Sequence, residues 1–252
     1  MLILKLGGAA ITDKATPDTA RLDQIEQIAS LLAQYPQPMV LVHGAGSYGH
    51  ILAGEFALQE GHQNDEQLAA LVRLQMQLHE LNGIVVRALV EHGIPAMSVH
   101  PASMCVMKGR RIHHIFTEPL HYMLHLKLVP VLYGDCVWDV EQGFGILSGD
   151  QLMIHLANEL GADRVAFGTN VAGVLDGEGR VIPQIDALDT IVVGESEHTD
   201  VTGGMLGKLG EIRRLRQPGT RTWIFELADT EAFARVLQGQ GGVGTLITKE
   251  KS

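Results

Sequence analysis

Several features that commonly identify a class of protein are missing from this sequence. Only two of its 252 residues are cysteines, Cys105 and Cys136, too few for a disulfide framework and without the spacing of a metal site. No apolar run is long enough to span a membrane, and the apolar N-terminal run is broken by Lys5 and lacks a signal-peptide cleavage pattern. Positive charge is scarce: 19 Lys and Arg stand against 29 Asp and Glu, and the net charge of −10 argues against general binding to nucleic acids or anionic membranes. We therefore expect a soluble, cytoplasmic protein.

Glycine, by contrast, is abundant. The 29 glycines are too many for a helical bundle and are typical of an α/β protein with many turns. Hydrophobic residues make up 46% of the chain and the mean hydropathy is +0.12, which argues against disorder. A chain of this length can bury a substantial core as one large domain or as two closely joined lobes.

Apolar runs and helical periodicity alternate along the chain. The runs predict strands at Met1–Leu6, Met39–Val42, Ile94–Val99, Val129–Tyr133, Arg164–Phe167, Thr222–Phe225 and Thr245–Thr248, and a hairpin from Gly173–Leu175 and Arg180–Ile182. Helices are predicted at Asp23–Tyr35, Asp65–His92, Phe116–Leu126, Asp150–Leu160, Gly204–Arg216 and Glu231–Gln238. The apolar face of the first helix is expected to hold Leu22, Ile25, Ile28, Leu31 and Leu32. This alternation predicts an α/β fold, an open and mainly parallel sheet with helices on both faces in an α/β/α sandwich.

The helix predicted at Asp65–His92 has two interpretations. Its apolar side chains recur at three- and four-residue spacing, at Leu71, Leu74, Leu78, Leu81, Val85 and Leu89. We favour packing against the core and a second subunit for most of them. The second interpretation, compatible with the first, is that this face also walls a pocket for an apolar substrate tail.

Glycine turns follow three of the predicted strands, after Leu6, Val42 and Phe167. The second turn, His43-Gly-Ala-Gly-Ser-Tyr-Gly-His50, is the richest, and its uncovered backbone N–H groups are of the kind that binds phosphate. Because ligands of parallel sheets bind at the carboxyl ends of the strands, we expect these turns to border one binding site.

Lysines stand beside the glycine turns. Lys5 ends the first strand, Lys14 lies in the turn beyond it, and Lys208 lies in the first turns of a helix that begins near Gly204. Phosphoryl transfer depends on positioning and on positive charge around the moving group, which this arrangement would supply. Neither a P-loop nor a protein-kinase signature occurs, so spacing alone predicts a phosphate-handling α/β enzyme without a named substrate.

Asp150 and His50 each allow a structural and a functional interpretation. Asp150 follows Ser148-Gly149 and opens a helix, where an N-cap worth about 1 kcal/mol is the simpler interpretation. Beside the lysines, it would instead hold their ammonium groups in place. His50 alone is more often a structural histidine, and His113, His114, His121 and His125 are expected at the surface.

The motifs occur in the order found in the amino acid kinase superfamily, and together they cover nearly the whole chain. They are Lys5-Leu-Gly-Gly-Ala9, Val42-His-Gly-Ala-Gly-Ser-Tyr-Gly-His50, Ser148-Gly-Asp150, Gly168-Thr-Asn-Val-Ala-Gly173, Asp200-Val-Thr-Gly-Gly-Met205 and Gly244-Thr-Leu-Ile247. Within that superfamily the sequence resembles most the isopentenyl phosphate kinases, because the pair Gly49-His50 closes the second glycine loop. The acetylglutamate, carbamate and uridylate kinases have no histidine at that place.

The resemblance implies an ATP-dependent kinase that converts isopentenyl phosphate to isopentenyl diphosphate, with Mg²⁺ accompanying the nucleotide. It implies catalytic roles for Lys5, Lys14, His50, Asp150 and Lys208, and acceptor contacts from Ala45, Gly49, His50 and Gly149. It implies ATP contacts from Lys5, Gly7, Gly8, Ala9, Gly46, Thr169, Asn170, Gly204 and Lys208. It also implies a homodimer, with residues 1–252 forming one domain whose approximate lobes are 1–160 for the acceptor and dimerisation and 161–252 for the nucleotide.

The sequence departs from the family pattern at a few positions. Ala9 replaces a usual serine, Ala45 a frequent glycine, and Asn170 and Ala172 commonly acidic residues. None of these changes removes a lysine or His50. Two alternatives stay open: a fosfomycin kinase or another small-molecule kinase on the same scaffold, and a catalytically silent protein that binds an anion.

Overall fold

The computed structural model describes residues 1–13, 15–186 and 204–248. Its strands are β1 (Leu2–Leu6), β2 (Met39–His43), β3 (Ala96–Ser98), β4 (Cys105–Lys108), β5 (Arg111–Ile115), β6 (Val129–Tyr133), β7 (Asp135–Asp139), β8 (Gly143–Leu147), β9 (Arg164–Thr169), β10 (Gln184–Ile185), β11 (Arg221–Glu226) and β12 (Thr245–Thr248). Its α-helices are α1 (Gly8–Ile11), α2 (Leu22–Gln34), α3 (His50–Glu55), α4 (Asp65–Glu91), α5 (Glu118–His125), α6 (Gly149–Leu160), α7 (Gly204–Ile212) and α8 (Thr230–Leu237).

The open, mainly parallel sheet is confirmed; within the described residues it has eight strands in the order β10-β12-β11-β9-β1-β2-β6-β3. Every neighbouring pair is parallel except β11 and β12. Helices α2, α4 and α8 pack on one face, and helices α5, α6 and α7 pack on the other. The fold is therefore the expected α/β sandwich with helices on both faces.

Strand β1 lies near the centre of this sheet, between β2 and β9. Leu2, Leu4 and Leu6 join the core on the α2 face, whereas Ile3 joins the core on the α6 face. All four side chains are at most 1% exposed. Because successive side chains of a strand point to opposite faces, Lys5 lies on the α6 face with Ile3, where α6 begins.

Helix α4 has nearly the predicted bounds. Asn64 caps it by accepting a hydrogen bond from the backbone N–H of Gln67, whose side chain bonds back in a capping box, and Gly93 follows its end with φ +79°. Its inner face is buried between Leu71 and Leu89. None of the described helices combines the length and the apolarity needed to cross a membrane.

A second sheet of four strands, in the order β5-β4-β7-β8, was not predicted. Its strands have only four or five residues each. Short turns connect β4 to β5 and β7 to β8, and β4 and β5 pair with an irregular register. Exposed His113 and His114 interrupt any apolar run in β5, so the segment gives a weak strand pattern. This sheet matters for the site because β8 leads directly into α6.

Three local expectations were wrong. Helix α7 ends at Ile212 instead of Arg216. Beyond Ile212 the backbone forms tighter, three-residue turns, and Leu215, only 4% exposed, packs into the core. Leu22, expected on the inner face of α2, is its first residue and is 58% exposed. The residues after Gly7, expected to form an open turn, form the short helix α1.

Candidate active site

One cleft of about 550 Å³ lies at the carboxyl ends of β1, β2, β6, β8 and β9. It is lined by all but one of the predicted site residues: Lys5, Gly7, Gly8, Ala9, Ala45, Gly46, Gly49, His50, Gly149, Asp150, Thr169, Asn170, Gly204 and Lys208. The exception is Lys14, which lies outside the described residues. Residues that are as far apart in the sequence as Lys5 and Lys208 thus face one space.

The charged centre of the cleft is a carboxylate between two ammonium groups. Asp150 accepts from Lys5 Nζ on one oxygen and from Lys208 Nζ, at 2.8 Å, on the other. Burial alone would raise the pKa of Asp150, but Lys208 and Lys5 together hold it well below its ordinary value. The carboxylate is therefore ionised at neutral pH, and the group of three carries a net positive charge.

The N-cap interpretation of Asp150 is wrong, because Ser148 occupies that position. The Ser148 hydroxyl accepts from the backbone N–H of Gln151 at 3.1 Å, and Asp150 lies inside the first turn of α6. Its carboxylate is free to face the lysines. The stem of Lys208 runs beside the core, with Nζ 4.8 Å from the centre of the Phe167 ring.

The two glycine loops pack backbone against backbone. A β-carbon on Gly8 would lie 2.4 Å from the Gly46 nitrogen, and one on Gly44 would lie 2.5 Å from the Gly8 nitrogen. Gly46 has φ +53°, in the left-handed region that favours glycine. Thr12, which the sequence did not single out, joins the loops: its hydroxyl donates to the Gly8 carbonyl at 2.9 Å and accepts from the Ser47 N–H at 3.0 Å.

The alanine at position 45 has a structural consequence. A β-carbon on Gly49 would lie 2.4 Å from the Ala45 methyl group, so this methyl group fills the space above Gly49. Ala45 packs against the apolar cluster under α3 and α4. Gly49 immediately precedes α3, of which His50 is the first residue. The departure from the family pattern therefore makes a glycine at position 49 necessary.

A buried polar network supports the second glycine loop, and sequence reasoning missed it. His43 is fully buried, and its Nδ1 lies 3.0 Å from the Gly44 carbonyl while Asn82 Nδ2 lies 3.1 Å from its Nε2. Ser98 donates in turn to the Asn82 carbonyl oxygen. Burial lowers the pKa of His43 to about 4, so the ring is neutral and its Nδ1–H donates to Gly44.

One end of the cleft has apolar walls. They come from α3, α4 and β8, namely Ile51, Ala53, Leu74, Leu78 and Ile146. Leu74 and Leu78 are the part of the α4 leucine face that reaches the cleft, whereas Leu81, Val85 and Leu89 pack in the core. Asp135, also unpredicted, lines this end and accepts from Gln75 at 2.7 Å and from the Ala102 N–H at 3.0 Å. Burial raises the pKa of Asp135 to about 6.

The opposite end is formed by the loop after β9 and the start of α7. Asn170 and Val171 are exposed here and line the cleft. The Thr169 hydroxyl donates to the Val171 carbonyl at 2.8 Å, so it shapes this loop. Gly204 is the first residue of α7, and the motif that precedes it lies outside the described residues.

Comparison with known proteins gives a consistent result. The profile of the Amino acid kinase family matches residues 1–226. An isopentenyl phosphate kinase of Methanothermobacter thermautotrophicus is 36% identical over 98% of this chain and 99% of its own. One of Haloferax volcanii is 37% identical over 92% of this chain and 94% of its own. Among solved structures, an isopentenyl phosphate kinase superposes with a TM-score of 0.86 at 34% identity, over 98% of this chain and 100% of the other.

Proposed function

We propose a function from one premise: this chain belongs to the amino acid kinase family and, within it, to the isopentenyl phosphate kinases. The protein transfers the γ-phosphoryl group of ATP to isopentenyl phosphate and releases isopentenyl diphosphate and ADP. The observation that carries the proposal is the Lys5–Asp150–Lys208 group between two glycine loops and an apolar end of the same cleft.

The charges in the cleft suit this transfer. An oxygen of the acceptor phosphate attacks the γ-phosphorus of ATP, and the bond from that phosphorus to the bridging oxygen of ADP breaks. The attacking oxygen is already ionised, so the reaction needs no general base. Asp150 cannot act as one, since both its oxygens accept from ammonium groups; it orients Lys5 and Lys208, which stabilise the charge on the moving group.

The acceptor lies at the apolar end in this proposal. His50, Ala45, Gly49 and Gly149 hold its phosphate, and the side chains of Leu74 and Leu78 contact its hydrocarbon tail. Fosfomycin, which is small and polar, would gain little from these walls, so the fosfomycin kinase alternative is not favoured. The complete Lys5–Asp150–Lys208 group speaks against a catalytically silent protein.

The nucleotide lies at the other end. Its phosphates contact the amides of α1 and the second glycine loop, including Gly8, Ala9 and Gly46, together with Lys5 and Lys208. Thr169, Asn170 and Gly204 border the rest, and Gly7 contributes backbone surface because its N–H already donates to Gly168 at 2.8 Å. We propose lobes 1–160 for the acceptor and 161–252 for the nucleotide, with Lys5, Gly8 and Gly46 of the first lobe at the phosphates between them. Lys14 is proposed to reach the moving phosphoryl group.

The residues of the cleft that the structure describes do not fit a resident Mg²⁺ site. Among the described residues no three His, Cys, Asp or Glu side chains lie together as a metal site requires, and both Asp150 oxygens are occupied by lysines. We therefore assign Mg²⁺ to the phosphates of ATP, where it would neutralise charge, and derive no step from it.

We also propose a homodimer. Helix α4 exposes an apolar stripe of Leu68, Val72 and Met76, which are 42%, 61% and 68% exposed. A second copy would cover such a stripe. Light scattering after size exclusion gives about twice 27.3 kDa if this is right, and 27.3 kDa across micromolar concentrations if it is wrong.

ADP release measured with isopentenyl phosphate and with fosfomycin, side by side, tests the function. We expect turnover that depends on isopentenyl phosphate. Turnover with fosfomycin and none with isopentenyl phosphate would support the rival kinase. No turnover with either, although an ATP analogue binds, would support the silent protein.

A further inference from the structure

The turn between β4 and β5 is held by hydrogen bonds to a buried carboxylate. Gly109 and Arg110, between the two strands, both have positive φ, +57° and +65°. Their backbone N–H groups donate to the carboxylate of Asp139, at 3.2 and 2.8 Å, and Asp139 is only 2% exposed. A buried carboxylate that accepts two adjacent amides fixes the conformation of the turn.

The same hairpin is also hydrogen-bonded to helix α6, through Gln151. Gln151 is 6% exposed; its side-chain oxygen accepts from the Ile112 N–H at 2.8 Å, and its nitrogen donates to the Arg110 carbonyl at 3.1 Å. Gln151 directly follows Asp150, the centre of the charged group. These two bonds fix the hairpin relative to the first turn of α6, where Asp150 lies.

Arg111 lies between these two attachments and reaches a third element. Its guanidinium forms a two-bond pair with the carboxylate of Glu211 on α7, at 2.5 and 2.9 Å. The Glu211 side chain is 15% exposed and that of Arg111 is 42% exposed. Glu211 lies one turn beyond Lys208 on the same helix. The pair thus connects the hairpin to the helix that carries one of the two lysines on Asp150.

We propose that Arg111 is a positioning residue for phosphoryl transfer, acting through Glu211 to hold Lys208 at Asp150 and at the ATP phosphates. The inference rests on the proposed function. Gln151 fixes the hairpin relative to Asp150, and Arg111 fixes α7 relative to the hairpin. The distance from Lys208 to Asp150 is therefore held by their direct ion pair and also by this path through the hairpin. A small displacement of a charged group at a reacting phosphate has a large effect on rate.

The other arginine near Glu211 does not replace this pair. Arg214 approaches Glu211 with one nitrogen at 3.8 Å, and its side chain is 61% exposed. It lies beyond the end of α7 and provides no link to the hairpin. Arg216 forms a comparable surface pair with Glu159 at 3.9 Å and is 74% exposed. Arg216 is therefore a matched control for the loss of one arginine charge.

The experiment compares Arg111→Met with Arg216→Met by calorimetric titration with a non-hydrolysable ATP analogue and by steady-state kinetics. For Arg111→Met we expect roughly three- to tenfold weaker analogue binding and a lower kcat, with the KM for isopentenyl phosphate nearly unchanged. Arg216→Met should match the wild type in each measurement. Equal analogue binding by both variants would overturn the inference.

Two further variants separate positioning from a general loss of structure. If Arg111 acts through Lys208, adding Arg111→Met to Lys208→Met weakens analogue binding no further, whereas independent effects would multiply and contradict the inference. The exchange Arg111→Glu with Glu211→Arg should recover part of the binding if Arg111→Met folds poorly, and failure to recover would count against the pair. Analogue binding needs no acceptor, so it is decided separately from whether isopentenyl phosphate is the substrate.

Discussion

The two ends of the cleft are built in different ways. At the acceptor end and in the second glycine loop that leads to it, shape comes from close contacts, as between the Ala45 methyl group and Gly49 or between Gly46 and Gly8, backed by the buried His43–Asn82 network. At the nucleotide end, position comes from side-chain charge: Lys208 is held by Asp150 and is linked through α7 to Arg111. Substitutions at the first end should therefore act through steric conflict, and substitutions at the second through lost charge.

The largest effect is expected at Gly46. A β-carbon there would lie 2.1 Å from the Thr12 hydroxyl and 2.9 Å from the Gly8 carbonyl, on a backbone with positive φ. Gly46→Ala should destabilise the protein by more than about 3 kcal/mol and abolish activity. Gly83→Ala is the control: it lies within α4 with nothing within 4 Å of the added carbon, and should stabilise by up to about 1 kcal/mol. Urea denaturation measures both, and a tolerated Gly46→Ala would contradict the steric account.

The next effect concerns charge at the nucleotide end. Lys208→Met keeps the apolar stem near Phe167 but removes one of the two ammonium groups on Asp150. We expect kcat to fall about a hundred- to a thousandfold, as for loss of one group that stabilises transition-state charge, together with weaker binding of an ATP analogue. Lys14→Met should lower kcat strongly while largely sparing analogue binding.

Arginine should rescue neither lysine variant, because its planar fork is wider than an ammonium group. Calorimetric titration decides between the two lysines. Equal loss of nucleotide affinity in Lys14→Met and Lys208→Met would mean that the two residues do not have separate roles.

Stability at mildly acidic pH tests the buried network at the acceptor end. His43 is neutral and its pKa falls from 6.5 to about 4 on folding, so the unfolded chain binds a proton more readily. Its contribution to stability is fully present above pH 6.5 and is lost as the pH falls toward 4, by about 3 kcal/mol. Asp135, with a pKa raised to about 6, acts in the opposite direction.

Comparing the wild type with His43→Gln isolates the histidine, because Asp135 is common to both. Urea denaturation at pH 7 and pH 5 should show a smaller loss of stability in the variant, which retains a donor and an acceptor but does not titrate in this range. The same loss in both proteins would show that His43 is not the group responsible.

The difference between local sequence patterns and contacts of distant side chains explains which features could be predicted from the sequence. The central strands and the glycine turns are local patterns, and the parallel sheet brings their ends together, so the lining of the cleft by Lys5 and Gly46 followed. The place of Asp150 in the cleft was implied by the family resemblance, since its local pattern favoured an N-cap. The contact of Asn82 with His43 joins residues 39 apart, and that of Arg111 with Glu211 joins residues 100 apart. No periodicity marks such pairs, because each partner is an ordinary polar residue of a helix or strand.

The four-stranded sheet was missed for a related reason. Its strands are short, and their buried residues, such as Cys105 and Met107, alternate with half-exposed or exposed ones over only four positions. Its position is fixed by Asp139 and Gln151, whose side chains bond to backbone groups of the β4–β5 turn. Side-chain to backbone bonds of this kind depend on tertiary placement and leave no spacing rule in the sequence.

The smallest of these effects is expected for His50, where the two ends of the cleft can be compared directly. If His50 bonds the acceptor phosphate, His50→Ala removes a charge-assisted hydrogen bond worth roughly 1.5–3 kcal/mol, or about ten- to a hundredfold in kcat/KM for isopentenyl phosphate. Because His50 begins α3, at the apolar end, while Lys208 lies on α7, the KM for ATP should change much less. His50→Gln should recover part of the activity by keeping a donor. Steady-state kinetics with each substrate varied in turn gives both KM values. Wild-type kinetics in His50→Ala would favour the structural-histidine interpretation, and equal shifts in both KM values would show that the two ends are not separate.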